Sequence, residues 1–377
     1  MTEAFFKVVG TSSECKARAG VLNLNGIEIP TPVFMPVGTY GTVKALMHKT
    51  VSELGYNLIL GNTYHLYLRP GTEVIEHFGG LHSFIHWNKG ILTDSGGYQI
   101  FSLQSFRKFT DEGVEFRSHL DGSKHFFTPG KVIEIQRIFG SDIVMVLDDC
   151  TEYPVEFSQA EESLNRTIQW AKRSKESFES TSPRWNRMQY LFGIIQGATF
   201  PELRRKSIEE LLSLQFDGYA IGGLSVGEPE NLMYEITDFC TNLLPTEKPR
   251  YLMGVGTPSN ILNCIELGID MFDCVLPTRN ARNGQIFTTR GKINIRNAKY
   301  RFSKEPIDPG LDNEISKEFS LGYLRHLFIA EEILGLTLAT YQNLAFYKWL
   351  VSTAREKILS DDFRQWKNKL ILNFEKE

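Results

Sequence analysis

The stretch 143-IVMVLDD-149 runs through five apolar residues and stops on two adjacent carboxylates. Continuous apolar runs of this length mark strands buried on both faces of a parallel sheet. Seven similar runs surround it: 32-PVFMP-36, 57-NLILGN-62, 91-ILTDSG-96, 191-LFGIIQG-197, 218-GYAIGG-223, 249-PRYLMGV-255 and 271-MFDCVL-276. Helix-length segments separate them. Eight buried strands in this rhythm predict an α/β fold of the (β/α)8 TIM-barrel class, with the barrel over about residues 30–280. Such barrels assemble their active sites at the strand C-termini. Asp94, Asp148, Asp149, Gln196, the Gly222-Gly223 pair, Met253 and Asp273 all fall at or near those ends.

The 377 residues can fill one barrel with insertions, so a single catalytic domain over 1–377 is expected. At 42% hydrophobic and 23% charged, the composition is that of a soluble protein. No apolar run nears the roughly 18 residues that cross a bilayer, and MTEAFFKVVG lacks the pattern of a signal peptide. Five cysteines without a C-x-x-C pair argue against a disulfide framework and for a reducing cytoplasm. A net charge of −4 excludes a uniformly basic nucleic-acid binder. Residues 278–304 nevertheless carry eight Lys or Arg and no Asp or Glu. A basic stripe on an acidic protein is a footprint for phosphate.

Around the strands, 20-GVLNLNGIEIP-30 alternates about Asn25-Gly26 and predicts a type I′ hairpin closing the barrel bottom. An inserted hairpin is expected at 113–130 about Asp121-Gly122, then a helix near 129–139. Residues 161–179 and 201–215 have helical periodicity, with Pro201 in a favoured first-turn position. Beyond the barrel, about 281–377, a hairpin at 284–297, a polar turn-rich stretch at 303–318 and a helical subdomain from 319 are expected.

Asp273 is flanked by apolar residues in 270-DMFDCVLPTRNARNGQ-285, and burying an unpaired carboxylate is costly. Two carboxylates such as Asp94 and Asp273 facing one glycosidic carbon can serve as nucleophile and acid/base. In 93-TDSGGYQ-99, Gly96 and Gly97 allow close backbone approach. Asp148, Gln196 and Gly223 supply the acceptor, amide and backbone groups that recognise a planar base. Tyr98 and Met253 could sandwich its ring. A barrel glycosidase is the competing reading of the two carboxylates.

Those residues lie in runs, among them FMPVGTYGTVKAL, ILGNTYHLYLRPG, LTDSGGYQIFSL, FGIIQGA, RYLMGVGTP and GIDMFDCVLPTRNARNGQ, that closely resemble the bacterial tRNA-guanine transglycosylases. The resemblance implies a (β/α)8 barrel that replaces guanine at the tRNA wobble position by a 7-deazaguanine in queuosine formation. It implies Asp273 as nucleophile on the ribose and Asp94 as proton donor and acceptor. It also implies a base pocket of Asp94, Ser95, Gly96, Gly97, Tyr98, Asp148, Gln196, Gly223 and Met253. The tRNA contacts it implies are Gly254, Val255, Gly256, Thr257, Pro258, Ser259 and Asn260, with Thr278, Arg279, Asn280, Ala281 and Arg282. Cys150 and Val226 match members that use the aminomethyl precursor, whereas Ser225 leans toward direct queuine insertion. One departure is plain. The family's zinc site, C-x-C-x2-C-x25-H, corresponds here to Leu311, Asn313, Ser316 and Gln342. None is a usual zinc ligand, so no metal cofactor is expected. Leu311 and Ile315 are expected to bury apolar area instead, and Phe319, Tyr323 and His326 resemble the family's homodimer face.

Overall fold

A computed structural model describes residues 4–103 and 107–375. Eight parallel strands close into a barrel in sequence order: Val33–Gly38, Leu58–Gly61, Gly90–Thr93, Ile143–Met145, Tyr190–Ile195, Gly218–Ile221, Arg250–Leu252 and Met271–Cys274. The eighth pairs with the first in register Asp273↔Met35, which closes the ring. Nearly every strand residue is buried, as continuous apolar runs require. The fourth and seventh runs are cut to three strand residues each. This matters for the site in the fourth. Its ladder stops at Met145, and the buried Val146 and Leu147 carry the chain off the rim to Asp148.

The expected bottom hairpin is present as Arg18–Leu24 and Ile27–Thr31, joined by Asn25 (φ 52°) and Gly26 (φ 83°). Both positive φ values suit a type I′ turn. A further strand, Phe6–Thr11, extends it to three. The Asn25 amide donates to Asp142 Oδ1 at 2.6 Å, just before the fourth barrel strand, so this sheet covers the N-terminal end.

The insertion after the third strand also has three strands rather than two: Arg107–Thr110, Gly113–Arg117 and Lys124–Phe127. Helix Pro129–Phe139 follows, capped by the Thr128 side chain and ended by Gly140 at φ 67°. The helix after the fourth strand spans Phe157–Ser180, starting before its expected residue 161, and the next spans Pro201–Ser213.

Beyond the barrel, hairpin Gln285–Thr288/Gly291–Asn294 and helices Leu321–Ile329 and Ile333–Leu359 enclose a second apolar cluster around Ile286, Ile295, Ile307, Leu324 and Leu338. The 303–318 stretch is turn-rich except for one short helix, Glu314–Glu318. Buried polar ties dock the long helix on the barrel. The Asn343 amide donates to Pro277 O (2.9 Å) and Gln285 O (3.0 Å), and the Tyr347 hydroxyl donates to Gly256 O (3.0 Å).

Candidate active site

At the strand C-termini lies a cavity of about 480 Å³, within the range of small-molecule sites. Asp94, Ser95, Tyr98, Asp148, Gln196, Gly223, Met253, Gly254, Asp273 and Arg279 line it. Residues from six strand ends, distant in sequence, thus meet at one mouth.

Asp94 follows the third strand and is 7% exposed. Its Oδ1 accepts from the Thr63 amide at 2.8 Å, and its Oδ2 from the Asn62 and Gln99 side-chain amides. Burial pushes its carboxyl up, those three neutral donors pull it down, and the Asp273 charge pushes it up again, leaving it at about 6. A carboxyl near 6 can both give and take a proton at neutral pH.

Asp273 lies one residue before the end of the eighth strand. Tyr251 Oη donates to its Oδ1 at 2.5 Å, and the Gly254 amide donates to the same oxygen at 2.8 Å. Both bonds fall on Oδ1, which leaves Oδ2 for an incoming carbon. Burial raises this carboxyl too, against the pull of Gly254 and Tyr251.

Asp148 is held from both sides. Ser95 Oγ donates to Oδ1 at 2.9 Å and Gln196 Nε2 to Oδ2 at 2.8 Å. The glycines serve this clamp. A Cβ on Gly97 would sit 2.5 Å from the Asp148 carbonyl oxygen, and one on Gly223 (φ 64°) would sit 2.3 Å from Gln196 Oε1. Gly96 packs against Tyr64 and Phe127 rather than the cavity. So Gly96 and Gly97 enable close approach between protein segments; neither lines the pocket itself. Tyr98 is half-exposed on the rim and Met253 half-buried in the wall.

The expected tRNA-contact residues divide. Gly254 and Arg279 open on the cavity. Thr257 and Asn260 form the capping box of helix Pro258–Glu266, with Ser259 in its first turn. Val255, Gly256, Pro258, Thr278 and Ala281 are buried, so any contact there would run through backbone. Asn280 and Arg282 are half-buried on helix Leu276–Arg282. Burial and the neighbouring Arg279 both lower the Arg282 guanidinium. Among the described residues neither arginine ion-pairs with a carboxylate. Two adjacent cations without a counter-charge suit a phosphate.

Asp149 turns away from the cavity and pairs with Arg166 on the following helix. Asn62, Thr63, Gln99 and Tyr251, which hold the two central carboxylates, were not singled out in the sequence. Asn62 could have been, since it ends the run 57-NLILGN-62. Tyr251 could be found from the two-residue strand period that it shares with Met253.

The four zinc-equivalent positions are filled without a metal's chemistry. Leu311 is buried in the main core, with Ile315 partly buried against the second. The Asn313 side chain caps helix Glu314–Glu318. Buried Ser316 Oγ donates to Gln342 Oε1 at 2.6 Å, and Gln342 Nε2 donates to Phe287 O at 2.9 Å. These side chains satisfy one another and do not fit zinc, which needs four N or S ligands.

A parallel barrel whose mouth gathers two buried carboxylates and Arg279 around one cavity fits a glycosyl-transferring enzyme. Residues 13–376 match the family model described as queuine tRNA-ribosyltransferase. The chain is 53% identical to the queuine tRNA-ribosyltransferase of Caldanaerobacter subterraneus subsp. tengcongensis over 98% of this chain and 97% of that one. It is 52% identical to that of Aquifex aeolicus over 97% and 98%. The chain therefore belongs to the queuine tRNA-ribosyltransferase family of tRNA-modifying glycosyltransferases.

Proposed function

We propose that this enzyme exchanges guanine at the tRNA wobble position for 7-aminomethyl-7-deazaguanine, through a covalent intermediate on Asp273. The carrying observation is that Asp273 is fixed through Oδ1 alone, in the same cavity as an Asp94 that titrates near 6. Asp273 Oδ2 attacks C1′ of the ribose as the C–N bond to guanine breaks. Asp94 gives its proton to the departing base, whose nitrogen took the bond pair. The incoming base loses a ring proton to Asp94, attacks C1′ and frees Asp273. Asp148, Gln196 and Gly223 hold the exchanged base. The target nucleotide must leave its stack to reach them.

The family name and the near-neutral carboxyl both support this reading. A barrel glycosidase would leave the Asp148–Gln196 clamp and the Arg279–Arg282 pair without ligands. Cys150 and Val226 in the wall match members that take the aminomethyl precursor rather than queuine, which competition between the two bases measures. No helix among the described residues is long and apolar enough to cross a membrane, and all five cysteines are free, in keeping with a cytoplasmic enzyme. A homodimer fits the exposed face of helix Leu321–Ile329, where Phe319 stacks on Tyr323 at 5.9 Å and Tyr323 on His326 at 6.4 Å.

Incubation with unmodified tRNA should trap a denaturation-resistant enzyme–RNA adduct. Asp273→Asn should fold normally, form no adduct and lose exchange by about 10⁴-fold or more, the scale on which deleting a nucleophile acts. An adduct formed by that variant would remove Asp273 from its role.

A further inference from the structure

Past the arginines at the lip, the basic stripe continues over the post-barrel hairpin. The place a Cβ would take on Gly284 lies 3.5 Å from Arg296 Cγ and Nε, so Arg296 sits beside the end of helix Leu276–Arg282. Arg296, Lys299, Arg301 and Lys304 are all exposed. Among the described residues none of them ion-pairs with a carboxylate; in this stretch only Arg290 does, with Glu305 at 3.8 Å.

At the far end of this track stands Phe302, 84% exposed, more than any other large apolar side chain among the described residues. The Arg301 guanidinium lies 5.1 Å from its ring centroid, and the Lys299 ammonium 5.0 Å from that of half-buried Tyr300. The turn that presents the ring is well tied. Ser303 N donates to Tyr300 O (3.1 Å), Gly322 N to Ser303 O (3.0 Å) and Arg325 Nε to Asn297 O (3.0 Å). A fixed bare ring amid unpaired cations meets both needs of single-stranded nucleic acid: a stacking platform for a base and charge for its phosphates.

We propose that Phe302 stacks on an unpaired base of the bound tRNA, outside the exchange pocket, while Arg301 holds an adjoining phosphate. The proposal rests on tRNA being the substrate. It adds a second grip on the RNA, carried by the post-barrel hairpin region rather than by the barrel.

The test measures binding of a tRNA transcript to the full-length protein over a range of salt. Phe302→Ala should weaken binding about 5- to 150-fold, the loss expected for one base–aromatic stack. Its log–log salt slope should not change, because no phosphate contact is lost. Phe302→Trp should restore binding. Arg301→Ala should instead reduce the slope by about 0.7–0.9. With 2-aminopurine placed singly at unpaired tRNA positions, one position should be quenched by the wild type and by Phe302→Trp but not by Phe302→Ala. Unchanged binding by Phe302→Ala, or a loss that tracks the salt slope, would overturn the stack. So would dissociation of a dimer by Phe302→Ala, which would show that a second copy covers the ring. If the wild-type protein failed to bind tRNA, the proposed function would fall and take this inference with it. Wild-type binding with an indifferent Phe302→Ala would sink the inference alone.

Discussion

Both ends of this barrel bury aspartates, and they are held in opposite ways. At the N-terminal end, Asp270 receives the Arg18 fork at 2.9 and 2.6 Å and the Arg250 amide at 2.7 Å. Asp142 meets Arg187, His82, Asn25 and the Ile91 amide. Burial pushes Asp142 up, yet His82 and Arg187 outweigh it and its carboxyl falls below the usual range. At the C-terminal end, Asp94, Asp148 and Asp273 receive amides and hydroxyls, and among the described residues no cation bonds to any of them. Burial then prevails and all three carboxyls are raised. His82 and Arg187 hold Asp142 in its charged form, whereas burial keeps Asp270 and Asp149 raised although each pairs with an arginine. Neutral donors orient a buried carboxylate while leaving its proton negotiable, which acid–base chemistry requires.

The largest effect that would sharpen this contrast is at the mouth. Asp94→Asn should bind tRNA but lose about 10²–10⁴-fold in exchange, the usual share of proton transfer. Its stability should move the other way. The folded carboxyl at about 6 lies above its ordinary 3.8, so the folded state holds the proton more tightly. Stability is then full below 3.8 and is lost as pH rises to about 6. At pH 7 the charged form costs about 3 kcal/mol of stability, taking 1.36 kcal/mol per unit. Asn carries no charge, and the buried Gln99 Oε1, which lacks a partner, can accept from it once that amide turns over. Asp94→Asn should therefore be more stable than wild type at pH 7 and lose the decline between pH 4 and 6. Chemical denaturation across that range decides it; equal curves for the two proteins would place Asp94 among ordinary carboxylates.

At the bottom the expected effect falls on stability alone. Arg18 and Asp270 are 5% and 0% exposed at the side chain. Arg18→Leu strands a buried carboxylate and should cost about 3–5 kcal/mol, read as a lower denaturation midpoint. Exchange by the folded fraction should not change, since the pair lies at the opposite end from the cavity. Asp142 adds a pH signature. Its folded carboxyl is depressed, so its contribution is present above 3.8 and fades as pH falls through the lower folded value. A loss of exchange with unchanged stability in Arg18→Leu would erase the division between the ends.

This division was only partly legible in the sequence. The eight strands were, because burial on both faces writes itself as unbroken apolar runs. The positions of Asp94, Asp148 and Asp273 at run ends also pointed to one mouth, although position alone does not separate them from Asp149, which ends the same run as Asp148 and pairs with Arg166. The difference between aspartates held by cations and those held by neutral donors was not legible. Arg18 meets Asp270 across 252 residues of sequence, and Tyr251 reaches Asp273 only through the register of neighbouring strands. The glycines carry a role that the sequence does not show: Gly97 makes room for Asp148, and Gly223, which also lines the cavity, makes room for Gln196. The extra strands Phe6–Thr11 and Arg107–Thr110 are half-exposed, so they lack the apolar signature that marked the barrel.

The smallest effect tests the post-barrel subdomain, where the family's metal would otherwise do what packing does. Ser316, Gln342 and Phe287 O form a closed hydrogen-bonded chain beside buried Leu311. If that chain stands in for a metal, purified enzyme should hold far less than one zinc per chain, and a strong chelator should leave the melting temperature unmoved. No metal-binding free energy is then coupled to folding. Ser316→Ala should lower stability by about 1–3 kcal/mol, because Gln342 Oε1 loses its only donor in a dry site. Gln342→Leu removes that acceptor but also the donor to Phe287 O, so it should rescue Ser316→Ala only in part. Rescue separates a hydrogen-bond deficit from a packing defect, since a cavity at Ser316 would persist in the double variant. Near-stoichiometric zinc, or unfolding on chelation, would show that other residues have taken over the ligand role.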